Sequence, residues 1–420
     1  MNKQEIKETG GKTRLYVIGM DDNPHPGHIE AIIGHIPHDH IFSGGKRHYE
    51  IVKPFLPAGA EWIEVKVPIK AVVAEYERLV GEGKTIVVFA SGDPFFFGFG
   101  STLRKNLPQV KMEVFPFFSS LQAFAHRKQI AYENMHAVSV TGRPWHELDR
   151  AWIECRPLIG VLTDHVHTPD AIARRMQEYG FDKDYTMWVA EHLGNPAEER
   201  IYDGNTIEEI AGMSFKSPNC ILLLRNPESR EQRLASGIPD HLFRLLDGRI
   251  NMITKAPIRV IDLSLLALHE SRSFWDVGAC TGSISVEARR QYPHLQIRAF
   301  EVREACEEII QENARRFHAP GIELRIGDFL EVEIDEDASV DAVFIGGHGG
   351  KLKEMIRKIV PHLDASRGRI VFNSVTEESG RMFREAAEEN GLILCPEMHI
   401  TLDRHNPITL FCATTKHHQS

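Results

Sequence analysis

Phe274-Trp275-Asp276-Val277-Gly278-Ala279-Cys280-Thr281-Gly282-Ser283 is the stretch from which the fold is read. An apolar run closes in Asp-x-Gly, a loop of small residues follows, and Ser283-Ile284-Ser285-Val286-Glu287 opens a helix. Strand, glycine loop and helix in that order build a nucleotide-type pocket at the strand's carboxyl end. Glycine permits the tight turn and the close approach of backbone to ligand. The next apolar run, Ile297-Arg298-Ala299-Phe300, ends in Glu301, where a carboxylate is placed to take both ribose hydroxyls. The dinucleotide fingerprint G-x-G-x-x-G is not met, because its positions hold Gly278, Cys280 and Ser283. A loop short of two glycines does not suit a pyrophosphate lying against the helix start. It suits a ligand without phosphates but with adenosine and an amino-acid tail, S-adenosylmethionine. An ordinary strand–turn–helix with incidental glycines is the plain alternative.

The chain around this stretch has 420 residues, enough for two or three domains of ~100–200 residues each. With 42% hydrophobic and 26% charged residues it reads as a soluble globular protein. No apolar segment approaches the ~18 residues of a membrane span. Met1-Asn2-Lys3-Gln4-Glu5-Ile6-Lys7-Glu8, followed by Gly10-Gly11, reads as a frayed tail rather than a signal peptide. Six cysteines lie far apart with no C-x-x-C pair, so free thiols in a reducing cytoplasm are expected. The formal charge of −10 argues against a protein that coats nucleic acid. It leaves room for an anionic small substrate, since local Arg and Lys decide that. The histidines, clustered at His35/His38/His40, His165/His167 and His417/His418, show no metal-ligand spacing with Cys or Glu. They read as surface residues, and no metal is expected.

Short apolar runs at Leu15–Ile18, Ile41-Phe42, Trp62–Val65, Thr85–Phe89 and Met112–Phe115 alternate with helical stretches such as Ala71–Leu79. That alternation predicts an open parallel sheet. Ala90-Ser91-Gly92-Asp93-Pro94 and Pro116-Phe117-Phe118-Ser119-Ser120 are turn-rich loops at strand carboxyl ends, where ligands of such sheets bind. A second lobe from about Leu121 has strands at Ala137–Val140, Leu158–Leu162, Thr186–Ala190 and Cys220–Leu224. The polar, turn-prone segment Glu191–Arg200 separates the last two. A charged linker, 227–236, divides a domain at 14–226 from one at 237–415, with tails at 1–13 and 416–420.

These residues carry a resemblance. The strand–Gly start, Ser91-Gly92-Asp93-Pro94-Phe95-Phe96-Phe97-Gly98, Ser119-Ser120, Gly142-Arg143-Pro144 and Glu191-x-Leu193-Gly194 resemble the tetrapyrrole methylase family. Gly44-Gly45-Lys46-Arg47-His48 sharpens this toward the branch that methylates C5 of the corrin precursor. The half from Gly237 onward is similar to the C15-methylating, decarboxylating enzymes. Its marks are Met252-Ile253-Thr254-Lys255, Trp275–Gly278, Asp341–Gly347 and Asn373-Ser374-Val375-Thr376. Both halves together resemble the fused precorrin-6Y C5,15-methyltransferases. The resemblance implies an α/β chain: a two-lobed tetrapyrrole methylase fold, then a Rossmann-like class I methyltransferase fold. It implies two S-adenosylmethionine sites and a precorrin or cobalt-precorrin substrate. The charge, hydropathy and cysteine readings add no nucleic-acid or membrane partner and a cytoplasmic location, and a homo-oligomer is expected.

The pattern of the second half agrees with that fold. Helix Ile258–Glu270 is followed by strands Phe274–Val277, Leu295–Phe300, Ile322–Ile326, Ala342–Ile345, Arg369–Asn373, Leu392–Ile400 and Ile408–Thr414. Helices Arg303–Phe317, Lys351–Val360 and Glu377–Asn390 fill the gaps. The last two strands leave no room for a helix between them and are expected to pair antiparallel.

Methyl transfer to carbon is an in-line displacement, and holding donor and acceptor in line supplies up to ~7–11 kcal/mol. Asp276, Gly278 and Gly282 are expected to shape the donor's tail and backbone contacts. Glu301 is expected to take its ribose, and Asp328 its adenine amino group or simply a turn. In the first half, Gly92, Asp93, Ser119 and Ser120 are the donor-binding candidates, with a helix cap as the other reading of the serines. Phe95-Phe96-Phe97 reads as a core wall more readily than as a stacking face for a flat macrocycle. A substrate fringed with acetates and propionates calls for Arg and Lys, and Lys46, Arg47, Arg249 and Lys255 sit in or beside the motifs. Loss of a ring carboxylate asks the protein mainly to desolvate it. His348, Thr254 and Lys255 are the catalytic candidates, His348 as acid–base residue.

Three departures stand out. The opening loop reads Gly19-Met20-Asp21-Asp22-Asn23-Pro24 where the methylase family has G-x-G-P-G. Cys280 replaces a glycine, and its thiol is expected to crowd the ligand slightly. His348 stands where a smaller hydroxyl residue is usual. Other readings are a methyltransferase of RNA or protein, a first domain reduced to a tetrapyrrole-binding scaffold, and a nicotinamide oxidoreductase.

Overall fold

β1 (Leu15–Met20) is buried on both faces, which a parallel sheet covered by helices requires. Leu15 and Val17 pack against helices Ile69–Gly81 and Phe99–Asn106, while Ile18 and Met20 face Ile29, Ile33 and Val52. The structure, a computed structural model, describes residues 13–36, 40–229, 236–402 and 407–415. The tails at 1–12 and 416–420, residues 230–235 of the expected linker, His38, His417 and His418 lie outside the described residues.

The described residues form two compact units. The first takes the described residues within Met1–Arg143, Pro157–Ile172 and Thr186–Leu224, the second those within Pro144–Arg156, Ala173–Tyr185 and Arg225–Ser420. Two segments ahead of the expected linker thus belong with the second unit, where Asp149 is fully buried and takes both guanidinium arms of Arg175 at 2.7 Å.

In the first unit β1 joins β2 (Ile41–Gly44), β3 (Trp62–Glu64), β4 (Ile86–Ser91) and β5 (Met112–Phe115) in the order β3-β2-β4-β1-β5. All of its pairings are parallel, as the alternation predicts. The second sheet contains β6 (His136–Ser139), β7 (Leu158–Leu162), β8 (Tyr185–Glu191), β9 (Arg200–Tyr202) and β10 (Asn219–Arg225), ordered β6-β7-β10-β8-β9. It is mixed rather than parallel, with β7–β10 and β8–β9 antiparallel. β9 is a strand the sequence reading did not give. Its three residues start where a polar loop ends, and the alternation over three residues is too brief to register.

The second unit holds β11 (Ser273–Val277), β12 (Gln296–Glu301), β13 (Ile322–Ile326), β14 (Ala342–Ile345), β15 (Arg369–Ser374), β16 (Ile393–Leu394), β17 (Met398–Ile400) and β18 (Ile408–Thr414). The order is β13-β12-β11-β14-β15-β18-β16, with β17 also on β18. Five parallel strands are closed by β18, which runs antiparallel between β15 and β16. Phe274 and Phe344 pack beneath helix Ser283–Gln291, and Trp275, Val343 and Ile345 beneath helix Leu352–Ile359. The strand expected over Leu392–Ile400 is two pieces. Pro396 lacks the N–H a ladder needs, and the register on β18 slips by one residue across it. The helix expected to reach Glu270 ends at Leu265, and Ala267 turns left-handed at φ +48°.

Candidate active sites

In the first unit the loops after β1, β4 and β5 converge. Gly92 N donates to the Met20 carbonyl at 2.6 Å. A Cβ on Gly19 would stand 2.4 Å from the Gly92 carbonyl oxygen, so only glycine lets these loops touch. They wall a cleft of about 710 Å³, within the size range of small-molecule sites. Gly92, Asp93, Ser119 and Ser120 all line it. Asp93 Oδ1 accepts from Phe95 N (2.8 Å), a turn contact. Ser119 caps helix Ser120–Lys128: its Oγ accepts from Gln122 N while its own N–H donates to Gln122 Oε1. The cap reading therefore holds for Ser119, while Ser120 is the first residue of the helix, both on the wall of the cleft.

The aromatic run divides. Phe96 packs in the core cluster, whereas Phe95 and Phe97 are 51% and 42% exposed. Phe97 lines the cleft with Phe118, itself 56% exposed, and Arg143 stands over the Phe97 ring at 5.1 Å. The core-wall expectation holds for Phe96 alone; the exposed rings offer a flat apolar face.

A polar group at the same cleft was not read from sequence. Asp22, 6% exposed, accepts from Arg47 Nη1 and pairs with His192 Nδ1, both at 2.6 Å. Arg47 Nη2 donates to Ser91 Oγ (2.8 Å), and His48 Nε2 lies 2.9 Å from the same oxygen. Burial, then the neighbouring Arg47, lowers the His48 pKa to about 4, so its ring is neutral. The opening loop's altered acids are thus built into the wall, Asp22 through these pairs. Arg47 is at the cleft, but Lys46 is exposed and absent from its lining. Asp22, His48 and His192 meet only through tertiary structure; no spacing signals it.

In the second unit the loop after β11 meets the loop after β14. Gly278 has φ +79°, and a Cβ there would lie 2.6 Å from Gly347 N. Gly282 has φ +70° and opens helix Ser283–Gln291. Glu301, 2% exposed at the end of β12, turns its carboxylate to the loop. Oε2 accepts from Cys280 N (2.8 Å) and Oε1 from Arg303 N (3.0 Å). Arg303 Nη1 also lies 3.4 Å from Oε1, so of a carboxylate's roughly four acceptor sites one stays open for a hydroxyl donor, and a second opens if this long contact yields. Cys280 itself is left-handed, φ +51°, in the place where glycine is at ease. Its thiol packs with Cys306, Ile309 and Ile310, turned into the core rather than crowding a ligand.

Asp276 is buried and binds Ser285 through N (3.2 Å) and Oγ (2.6 Å), with burial pushing its pKa up to about 6. It ties β11 to the helix. Asp328 accepts from Leu330 N (3.0 Å) and pairs with Lys351 Nζ (2.7 Å), so the turn role is filled. Lys351 holds its carboxyl below the usual range. His348 Nδ1 accepts from Gly350 N (3.1 Å), leaving Nε2–H free to donate, and the ring meets Phe372 edge-on at 5.7 Å. Burial lowers its pKa. Arg249 is 61% exposed and lies 3.4 Å from Asp247. Lys255 Nζ donates to the Ile250 carbonyl, and the Thr254 carbonyl accepts from Arg259. Both brace the segment ahead of helix Ala256–Leu265. The hub is Arg259, 0% exposed, which also binds Glu287 (2.8 Å), Asp240 (2.7 Å) and the Ile238 carbonyl. Sequence spacing gave no sign of it.

A glycine loop facing a buried acid, on a parallel sheet closed by an inserted antiparallel strand, defines a class I methyltransferase unit, here on the same chain as a second α/β unit with its own cleft. Residues 38–211 match the model for tetrapyrrole (corrin/porphyrin) methylases, and residues 246–417 that for the precorrin methyltransferase domain. The chain is 31% identical to the precorrin-6Y C(5,15)-methyltransferase (decarboxylating) of a Sinorhizobium species over 87% of this chain and 85% of that protein. The cobalt-precorrin-6B C(15)-methyltransferase (decarboxylating) of Salmonella typhimurium is 38% identical over 33% of this chain and 70% of its own length. A solved structure of precorrin-6Y C5,15-methyltransferase from Geobacter metallireducens is 31% identical and covers 42% of this chain and 96% of its own, with a TM-score of 0.38. The chain belongs to the precorrin-6Y C5,15-methyltransferase (decarboxylating) family, whose members are S-adenosylmethionine-dependent. Among the described residues no helix is long and apolar enough to cross a membrane.

Proposed function

We propose that the chain methylates a precorrin-6Y-type tetrapyrrole, metal-free or cobalt-bearing, at C5 in the first unit and at C15 in the second. The second reaction comes with loss of a ring acetate's carboxyl group. The observation that carries this reading is the presence of two unlike ligand-type sites in one chain: the 710 Å³ cleft and the Gly278–Glu301 loop. Each fits an S-adenosylmethionine, which when bound supplies an electrophilic methyl group on sulfur.

The residues do the rest by position. In the first unit the touching loops of Gly19 and Gly92 present backbone groups to the donor, with Asp93, Ser119 and Ser120 beside them. Phe97 and Phe118 give the macrocycle an apolar face and keep water from it. In the second unit Glu301 takes the ribose, Gly278 and Gly282 make room for the tail, and Asp328 caps the adenine side. Asp276 acts one step back, fixing the loop through Ser285. His348, whose Nδ1 accepts from Gly350 N–H and whose Nε2 faces away from that bond, is the acid–base residue at the sheet's carboxyl edge. Arg47 at the cleft, with Lys46 outside its lining, and Arg249 and Lys255 in the second unit are the candidates for the substrate's carboxylates, and Thr254 and Lys255 join His348 as catalytic candidates. A homo-oligomer is part of the proposal, and a monomer by sedimentation would remove it.

Mass spectrometry of the product formed from precorrin-6Y tests the whole: two methyl groups gained and one carbon dioxide lost are expected. A product with one methyl group and the carboxyl lost would leave the first unit as a binding scaffold. An unchanged substrate would end the proposal.

A further inference from the structure

Ser91 closes β4 at the cleft, and its hydroxyl is exposed there. Two neighbours occupy its oxygen. Arg47 Nη2 donates at 2.8 Å. His48 is the second, and its tautomer is fixed by the backbone: Gly45 N–H donates to Nδ1 at 3.1 Å, so the ring proton sits on Nε2, 2.9 Å from Ser91 Oγ. A serine hydroxyl has two acceptor lone pairs and one proton to give. Both lone pairs are used, so the proton is left to point at a ligand. Arg47 is in turn anchored by Asp22, and Asp22 by His192, so the donors are held in place.

Resting on the two-site reading above, we propose that Ser91 is a specificity residue of the first unit: an obligate hydrogen-bond donor that, beside Arg47, receives a ligand carboxylate. The arrangement excludes Ser91 as a base, because accepting a proton would require Arg47 or His48 to let go. An acceptor-only, anionic group is the best match for a hydroxyl that only donates next to a guanidinium. Two ligands of this unit carry such a group, the macrocycle through its acetates and propionates and the methyl donor through its amino-acid tail.

The test is equilibrium titration of the full chain with precorrin-6Y and, separately, with S-adenosylhomocysteine, for wild type, Ser91→Ala and Ser91→Thr. Loss of a hydrogen bond to a charged group predicts binding about 10-fold or more weaker for one ligand in Ser91→Ala. Ser91→Thr, which keeps the O–H, should stay within a few-fold. Weakening confined to precorrin-6Y assigns the carboxylate to the macrocycle; weakening confined to one S-adenosylhomocysteine site assigns it to the donor's tail. Unchanged titrations in Ser91→Ala, or equal weakening in Ser91→Thr, would overturn the proposal. A wild type with a single S-adenosylhomocysteine site would instead fail the two-site reading, while the precorrin-6Y isotherms still judge Ser91.

Discussion

Arg259→Met is the substitution that tests the second unit's architecture most directly. Arg259 is 0% and Glu287 1% exposed, and their contact is 2.8 Å. Methionine preserves most of the apolar stem but leaves Glu287 a buried carboxylate without its cation. Removing one member of a buried pair typically costs about 3–5 kcal/mol. Glu287 still accepts from Gly237 N (2.9 Å) and Ile238 N (3.0 Å), which favours the lower end. Against that, the Thr254 and Ile238 carbonyls also lose their donor. At ~2–4 °C per kcal/mol for a domain of this size, the transition of the second unit should fall by about 6–20 °C. Calorimetry of the full chain, resolving its transitions rather than assuming one, measures it. Arg259→Met combined with Glu287→Gln should recover part of the loss, since no unpaired charge then remains. A single variant within about 2 °C of wild type would refute the reasoning, and with it the idea that this hub fixes Thr254 and Lys255.

Three further outcomes follow from the same geometry. Asp262 Oδ2 accepts from Asn373 Nδ2 (2.7 Å), while Asp262 Oδ1 and Asn373 Oδ1 are buried without partners; a protonated Asp262 closes the second hydrogen bond. Burial, opposed by Asn373 and Arg259, raises its pKa well above the ordinary carboxylate value. The neutral form is favoured in the fold, so stability is full below the unfolded pKa of ~3.9 and declines as pH rises toward the folded value. Asp262→Asn should be as stable as wild type in urea at pH 4 and more stable at pH 8; the reverse order at pH 8 would contradict a neutral Asp262. Gly278→Ala forces a Cβ against Gly347 N at φ +79°, and should destabilise by more than ~1 kcal/mol and abolish donor binding in the second unit, read by calorimetric titration. Glu301→Ala should reduce S-adenosylhomocysteine stoichiometry from two to one; retention of both sites would remove Glu301 from the ribose.

Apart from β9 and the break at Pro396, the succession of strands is legible in the chain, as are the two glycine-loop regions and Glu301. Each rests on short-range pattern: apolar runs of β-length, small residues at a tight turn, an acid at a strand's end. β5, β7, β13, β14 and β18 stand within the bounds read from sequence because each is either a short apolar run, as in β7 and β14, or a strict apolar–polar alternation, as in Ile322-Glu323-Leu324-Arg325-Ile326 of β13. Which charges meet is set by the packed fold. Asp22, Arg47 and His192 come from three segments, as do Arg259, Asp240 and Glu287, and a buried ion pair leaves no periodic trace in a chain. The same holds for Cys280, whose side chain turns into the core because the backbone is left-handed there, and for Phe97, whose exposure depends on loops folded around it. Local physics sets the elements, but the low-dielectric interior, where unpaired charges are costly, sets their partners.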